Sequence, residues 1–221
     1  MSGISIFMYH QVGRFAQMKQ HRTNYCDVGR FRQQMRALRR LGVPVLAMSE
    51  AVAALRGERP LPRRAVVLTF DDGCENFHEH ALPILAEFGL PAIVYPIAGM
   101  VGGQGEWLAA VGHPVPPLMS FAQLREAAAH GIEIGSHALH HVRLATLPPQ
   151  EQLAELRDSR ARLQDELGRD VRHLCYPYGS HSLDTLRAAA SRNCAKLIKG
   201  GTGWPTAASH SPCPPTMPAI G

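Results

Sequence analysis

The sequence predicts an α/β fold in which parallel strands alternate with helices. Short apolar runs rich in β-branched residues recur along the chain, and longer segments with the period of a helix separate them. In addition, each polar motif that could do chemistry directly follows one of the apolar runs. About seven such alternations suit a closed or nearly closed β/α barrel, although an open sheet has the same pattern.

The first elements follow from periodicity and capping. Apolar Phe31, Met35 and Leu38 recur at helical spacing among arginines. Ser49 is placed to cap the next helix, and Glu50 adds negative charge to its first turn. The predicted order is a strand at 4–9, a helix at 30–41, a strand at 43–46, a helix from 49 to 55 and a strand at 65–70.

The later elements are separated by glycine and proline. Gly89 and Gly131 each end a helical pattern, and Ser120 begins one. From Lys199 onward Gly, Pro and Ser dominate, so no regular element is predicted there. The predicted order is a helix at 78–88, a strand at 92–97, a long functional loop at 99–119, a helix at 120–130, a strand at 132–134, a helix at 150–167, a strand at 171–176 and a helix at 182–190.

Length and composition indicate one globular domain spanning residues 1–221. The chain is 45% hydrophobic, which is enough for one sizeable core. Its net charge of +5 is a modest excess, typical of a soluble surface rather than of a nucleic-acid partner.

Five cysteines without a C-x-x-C pair predict neither a disulfide framework nor a thiolate zinc site. The amino terminus lacks a basic leader and a long apolar run, so we expect no signal peptide, no transmembrane segment and a cytoplasmic location.

The first chemical motif is Thr-Phe-Asp-Asp-Gly at 69–73, directly after the strand at 65–70. Adjacent carboxylates at a strand end are costly unless a positive charge lies beside them, and a divalent metal would supply it. An Asp-rich turn leading into a helix is the alternative interpretation.

The second motif is Gly-Ser-His-Ala-Leu-His-His at 135–141. One helical turn there would project His137 and His141 to the same side. Two imidazoles that bind one ion must point to the same side. His140 is then an outer or exposed residue. A solvated histidine-rich loop explains this motif equally well.

Together the two motifs favour a hydrolytic metal site over either alternative. Asp72, His137 and His141 form a three-ligand set that leaves one position open for water or substrate. Asp71 is then free to take a proton from that water. The third motif, Cys-Tyr-Pro-Tyr-Gly at 175–179, could aim a main-chain N–H at an oxyanion, although an ordinary turn fits it too.

The three motifs resemble those of the polysaccharide deacetylases with a NodB-type domain, carbohydrate esterase family four. The resemblance is strong over about 66–190 and looser over 4–55, where Met-Tyr-His-Gln-Val at 8–12 is similar to the first strand of many members. It implies a distorted (β/α)7-type barrel and removal of N-acetyl groups from a sugar or polysaccharide. It also implies a divalent metal, Zn²⁺ first, with Co²⁺, Mn²⁺ or Ni²⁺ as alternatives.

The resemblance also implies roles for individual residues. Asp71 would be the base, with Asp72, His137 and His141 as metal ligands. The backbone N–H of Tyr178, next to Pro177, would donate to the oxyanion. Three departures stand out: Ala138 replaces a family Ser or Thr, Cys175 replaces a family arginine that positions the base, and no clear Leu-x-His supplies the general acid. His210, in Ser-His-Ser-Pro, is a poor match to that motif, which leaves His10 and His181 as candidates for the acid.

Two other functions remain open from the sequence. The same metal site could hydrolyse a cyclic amide or ureide, or the chain could be a catalytically weak carbohydrate-binding homologue. Trp107, in the 99–119 loop, favours a sugar because its ring can stack on one, although a buried anchoring Trp is equally consistent. The particular sugar, the native metal and the oligomeric state are not determined by the sequence.

Overall fold

The computed structural model describes residues 3–16, 22–190 and 195–196. Strands and helices alternate along most of this part of the chain, as the sequence predicts. The strands are β1 (Ile4–Tyr9), β2 (Gln11–Gly13), β3 (Tyr25–Asp27), β4 (Ala65–Asp72), β5 (Ile93–Pro96), β6 (Glu133–Ile134), β7 (His173–Leu174) and β8 (Ala195–Lys196). The α-helices are α1 (Val28–Arg40), α2 (Met48–Leu55), α3 (Leu82–Phe88), α4 (Phe121–Ala129), α5 (Pro149–Leu167) and α6 (Leu183–Ala190).

The strands form a parallel array. The main sheet has the order β1-β4-β5-β6, a bridge between Ser136 and Leu174 extends it to β7, and β7 pairs with β8. The short strands β2 and β3 pair separately. This arrangement confirms the predicted α/β class with parallel strands. Among the described residues no pairing joins β8 to β1, so closure of the barrel stays a prediction.

Strand β4 is buried along its whole length and lies at the centre of the core. Val66, Leu68 and Phe70 pack into the largest apolar cluster together with residues of α1 and α3. On the other face, Val67 packs against Met48 of α2. A strand covered on both faces needs a nearly continuous apolar run, which is why residues 65–70 are so strand-like. The charged residues of β4 are therefore confined to its carboxyl end.

Two predictions for residues 43–55 differ from the structure. The strand predicted at 43–46 reduces to a single bridge between Val45 and Val66. The prediction that Ser49 caps α2 is wrong, because the helix begins at Met48 after Ala47 and the Ser49 side chain bonds Glu133 instead. The Ala47 N–H donates to the Glu50 carboxylate at 3.1 Å, so Glu50 provides the cap.

The remaining differences concern irregular turns. The helix predicted at 78–88 begins with a π-helical turn, Phe77–Ala81, before α3. The loop predicted at 99–119 includes two short 3₁₀ segments, Ala98–Met100 and Glu106–Val111. The strand predicted at 171–176 is reduced to β7, and the chain turns at Pro177–Gly179 just beyond it.

Two predicted helix boundaries are confirmed. Ser120 caps α4 by accepting the Gln123 N–H at 3.3 Å, and Gly89 ends α3 with a left-handed φ of 59°. The prediction for residues from 199 onward, with His210, lies outside the described residues. The described helices include none with both the length and the apolar composition that a membrane crossing requires.

Candidate active site

The site begins where β4 ends, because the backbone turns sharply there. Asp72 has a left-handed φ of 70°, and Gly73 follows with a φ of 75°. A Cβ atom on Gly73 would lie 2.9 Å from Pro96 of β5, so only glycine fits this close approach. The turn therefore sends the carboxylates of Asp71 and Asp72 in different directions from adjacent positions.

Asp72 lies between two imidazoles, as predicted. Its Oδ1 is 3.4 Å from His137 Nε2 and 3.3 Å from His141 Nε2, and none of the three residues is more than 9% exposed. Donor atoms that share one tetrahedral ion through bonds of roughly 2.0–2.1 Å lie about 3.4 Å apart. The separations from the carboxylate to both imidazoles match that value, so this set fits a divalent metal.

Hydrogen bonding fixes the charge and the tautomer of the set. Burial alone would raise the pKa of Asp72, but hydrogen bonds from His137 and His141 outweigh it and hold that pKa well below its ordinary value. His137 Nδ1 donates to the Cys175 carbonyl oxygen at 2.8 Å. With Nδ1 committed to that bond, donation from Nε2 to Asp72 requires the protonated ring, and loss of the Nε2 proton leaves a lone pair there for a metal.

The two histidines converge without the helical turn that the sequence suggested. That expectation is wrong because Ala138 and His141 both have left-handed φ values, 60° and 56°, which bring the chain back in a loop. Two backbone bonds hold the loop from the side: the Ala98 N–H donates to the Ala138 carbonyl at 3.1 Å and the Gly99 N–H to the Leu139 carbonyl at 2.8 Å. His140 is exposed, as expected.

Helix α5 holds the same loop from the other side through residues that the sequence analysis missed. Glu155 accepts the N–H groups of Leu139 and His140 at 3.0 Å each, and its other oxygen lies 2.6 Å from His140 Nδ1. Ser159 Oγ bonds Ser136 Oγ at 2.6 Å. One signal was available: Glu155 and Ser159 are polar positions on the buried stripe of α5.

Asp71, the predicted base, is only 3% exposed and lies beside the third motif. The thiol of Cys175 donates to Asp71 Oδ2 across 3.5 Å. Tyr95 of β5 lies nearby, and burial, followed by the neighbouring Cys175 and Asp71, raises the pKa of its phenol well above the ordinary value. Asp71 is therefore buried next to the ligand set.

The third motif covers the site. Tyr178 has a left-handed φ of 57°, and its ring lies 4.6 Å from the His141 ring. Its hydroxyl is 3.3 Å from His141 Nδ1, while His141 Nε2 faces Asp72. Pro177 is buried beneath. The oxyanion role of the Tyr178 backbone N–H stays a prediction, as does the role of Pro177.

Aromatic and cationic groups flank the opening. The half-buried Trp107 ring lies 4.6 Å from the His141 ring, and the Arg143 guanidinium lies 4.4 Å over the ring of Tyr178. Tyr178 itself is 51% exposed. These groups therefore pack around His141, and Tyr178 remains half exposed to solvent beside the ligand set.

The two candidate acids have different surroundings. His10 directly follows β1, whose last residue, Tyr9, pairs with Phe70, the residue before Asp71. The charge of His10 also contributes to the lowered pKa of Asp72. His181 instead bonds the Gly179 carbonyl at 2.9 Å and stacks on Tyr176. The structure thus brings His10 to the carboxylates, whereas His181 is held by its own turn.

Comparisons with known proteins agree with these motifs. A family profile described as "Polysaccharide deacetylase" matches residues 58–195. The chain is 27% identical to YxkH of Bacillus subtilis over 186 residues, which is 84% of this chain and 60% of that protein. It is 36% identical over 110 residues to the poly-β-1,6-N-acetyl-D-glucosamine N-deacetylase of Escherichia coli K12, covering 48% of this chain and 16% of that enzyme.

A solved structure extends the likeness to three dimensions. IcaB from Ammonifex degensii superposes with a TM-score of 0.77 at 26% identity, covering 87% of this chain and 81% of that one. This neighbour confirms the predicted NodB-like fold class. The chain spans about 60% or less of the two curated relatives named above.

Proposed function

Because this chain belongs to the polysaccharide deacetylase family, we propose that it hydrolyses the N-acetyl group of an acetylated sugar with the help of a divalent metal, Zn²⁺ first. One observation carries the proposal: Asp72, His137 and His141 present three buried donor atoms to one point, and a second carboxylate, Asp71, is adjacent on β4. The similarity to a poly-β-1,6-N-acetyl-D-glucosamine N-deacetylase supports a β-linked N-acetylglucosamine polymer as the substrate.

Each residue has a role that its environment supports. Asp72, His137 and His141 hold the metal, which when bound polarises the acetyl carbonyl and lowers the pKa of water. Asp71 accepts a proton from the attacking water, in a pocket from which bulk water is largely excluded. The backbone N–H of Tyr178 donates to the developing oxyanion.

We propose His10 as the general acid that protonates the leaving amine. Its place after the strand that pairs with β4 and its electrostatic effect on Asp72 support this role, and it is only half-buried. His10→Gln should lower kcat by roughly 10²–10⁴-fold, while His181→Gln, the matched control, should change it far less. The reverse order of effects would assign the acid to His181.

Trp107 and Tyr178 favour a sugar over a small heterocycle, because both aromatic side chains lie beside His141 and pyranose rings pack on aromatic side chains. The deciding experiment combines metal analysis of the purified protein with acetate release from N-acetylglucosamine oligomers. Wild type should bind metal and release acetate, and Asp71→Asn should bind metal without turnover. Metal without turnover in wild type would indicate a binding protein, and turnover of a ureide alone would indicate the other hydrolase.

A further inference from the structure

Cys175 lies close to both the proposed base and one imidazole of the metal set. Its sulfur is 3.5 Å from Asp71 Oδ2. One donor atom from each of Asp71, His137 and Cys175 lies within 4.8 Å of the other two, and none of these residues is more than 5% exposed. The described chain thus holds a second buried set of three donors, a carboxylate, an imidazole and a thiol.

The two sets cannot be filled independently, because they share His137. Its Nδ1 donates to the Cys175 carbonyl oxygen, which leaves Nε2 as the ring nitrogen with a lone pair. One lone pair binds one ion. An ion held by Asp71, His137 and Cys175 therefore excludes an ion held by Asp72, His137 and His141.

We propose that Asp71, His137 and Cys175 form a second metal site that takes a thiophilic divalent ion, such as Cd²⁺ or Zn²⁺ in excess. A thiolate is a soft ligand that selects such ions over hard ones such as Mg²⁺ or Ca²⁺. The thiol loses its proton to solvent as the metal–sulfur bond forms. The inhibitory consequence rests on the proposed function: an occupied second site removes Asp71 as the base.

The first test measures binding without any turnover. Metal-free protein is titrated with Cd²⁺, and the ultraviolet charge-transfer absorption of the cadmium–thiolate bond is recorded. Wild type and the matched control Cys26→Ser should both develop the band, whereas Cys175→Ser should lose it. A band of equal strength in Cys175→Ser, or none in wild type, would overturn the second site. Circular dichroism verifies that each variant is folded.

The second test separates this inference from the proposed function. Cys175→Ser should still bind one Zn²⁺ through the Asp72 set, measured by competition with a chromophoric chelator. Excess Zn²⁺ should inhibit acetate release by wild type at least tenfold more strongly than release by Cys175→Ser. Equal inhibition of both would refute the competition. If neither protein releases acetate, the proposed function fails, while the cadmium band still decides whether the site exists.

Discussion

The two halves of the candidate site are held in different ways. In the ligand half, Asp72 receives hydrogen bonds from two imidazoles, and α5 holds the histidine loop through Glu155. In the base half, Asp71 has a thiol contact of 3.5 Å and a buried surrounding. Hydrogen bonds from the imidazoles lower the pKa of Asp72 and keep it anionic, which suits it to binding a cation. The role of Asp71 as the base stays a proposal, supported by its burial beside that carboxylate.

Removing the ligand half should have the largest effect. Asp72→Ala deletes the carboxylate that both imidazoles face, so metal binding should be lost and acetate release should fall by on the order of 10³-fold or more. Added Zn²⁺ should raise the Tm of wild type but leave that of the variant unchanged. An unaltered metal content in Asp72→Ala would show that the ligand set is wrong.

Removing the base alone should impair turnover without impairing metal binding. Asp71→Asn keeps the shape of the side chain, and we expect it to lower kcat by roughly 10²–10⁴-fold with the metal still bound. Metal content and acetate release are measured on the same preparation. Loss of the metal together with activity would mean that Asp71 belongs to the ligand half.

Loosening the ligand half should have an intermediate effect. Glu155→Ala frees the N–H groups of Leu139 and His140, so the loop between His137 and His141 should lose its fixed shape. Metal affinity should fall by roughly 10–100-fold, as when other outer partners of metal ligands are removed. Glu151→Ala, at an exposed position of the same helix, is the control and should bind metal as wild type does. Equal affinity of the two variants would contradict the supporting role.

The smallest effect is expected at Ser159. Ser159→Ala removes the partner of the Ser136 hydroxyl, which still accepts the Ala138 N–H at 3.3 Å. The free energy of unfolding should fall by about 1 kcal/mol, with a smaller loss of metal affinity than in Glu155→Ala. Chemical denaturation measures the first quantity and chelator competition the second. A loss of affinity larger than that of Glu155→Ala would reverse the assigned order of support.

The sequence predicted what depends on neighbours along the chain. The apolar run before Asp71 and Asp72 indicated the central strand, and the spacing of His137 and His141 indicated a shared ion. Parallel strands bring such motifs to one edge, so the ligand set followed from the fold class. The distances between these donor atoms agree with that inference.

What the sequence could not provide depends on contacts between distant segments. Glu155 lies in a charged helix, and only its position on the buried stripe distinguishes it from its exposed neighbours. Glu50 rather than Ser49 caps α2, because Ser49 bonds Glu133, which lies more than eighty residues away in the sequence. The loop at 138–141 is not helical because contacts from both sides hold two of its residues at positive φ.

The positive φ values have a consequence for engineering. In the described part of the chain, Asp72, Ala138, His141 and Tyr178 are the non-glycine residues that adopt them, and all four lie at the site. Each such conformation costs roughly 1–2 kcal/mol. Glycine at Ala138 would relieve part of that cost but would also loosen the loop between His137 and His141, so heat-resistance screens should enrich a substitution that weakens metal binding. A selection for stabilised variants therefore has to measure acetate release as well as Tm.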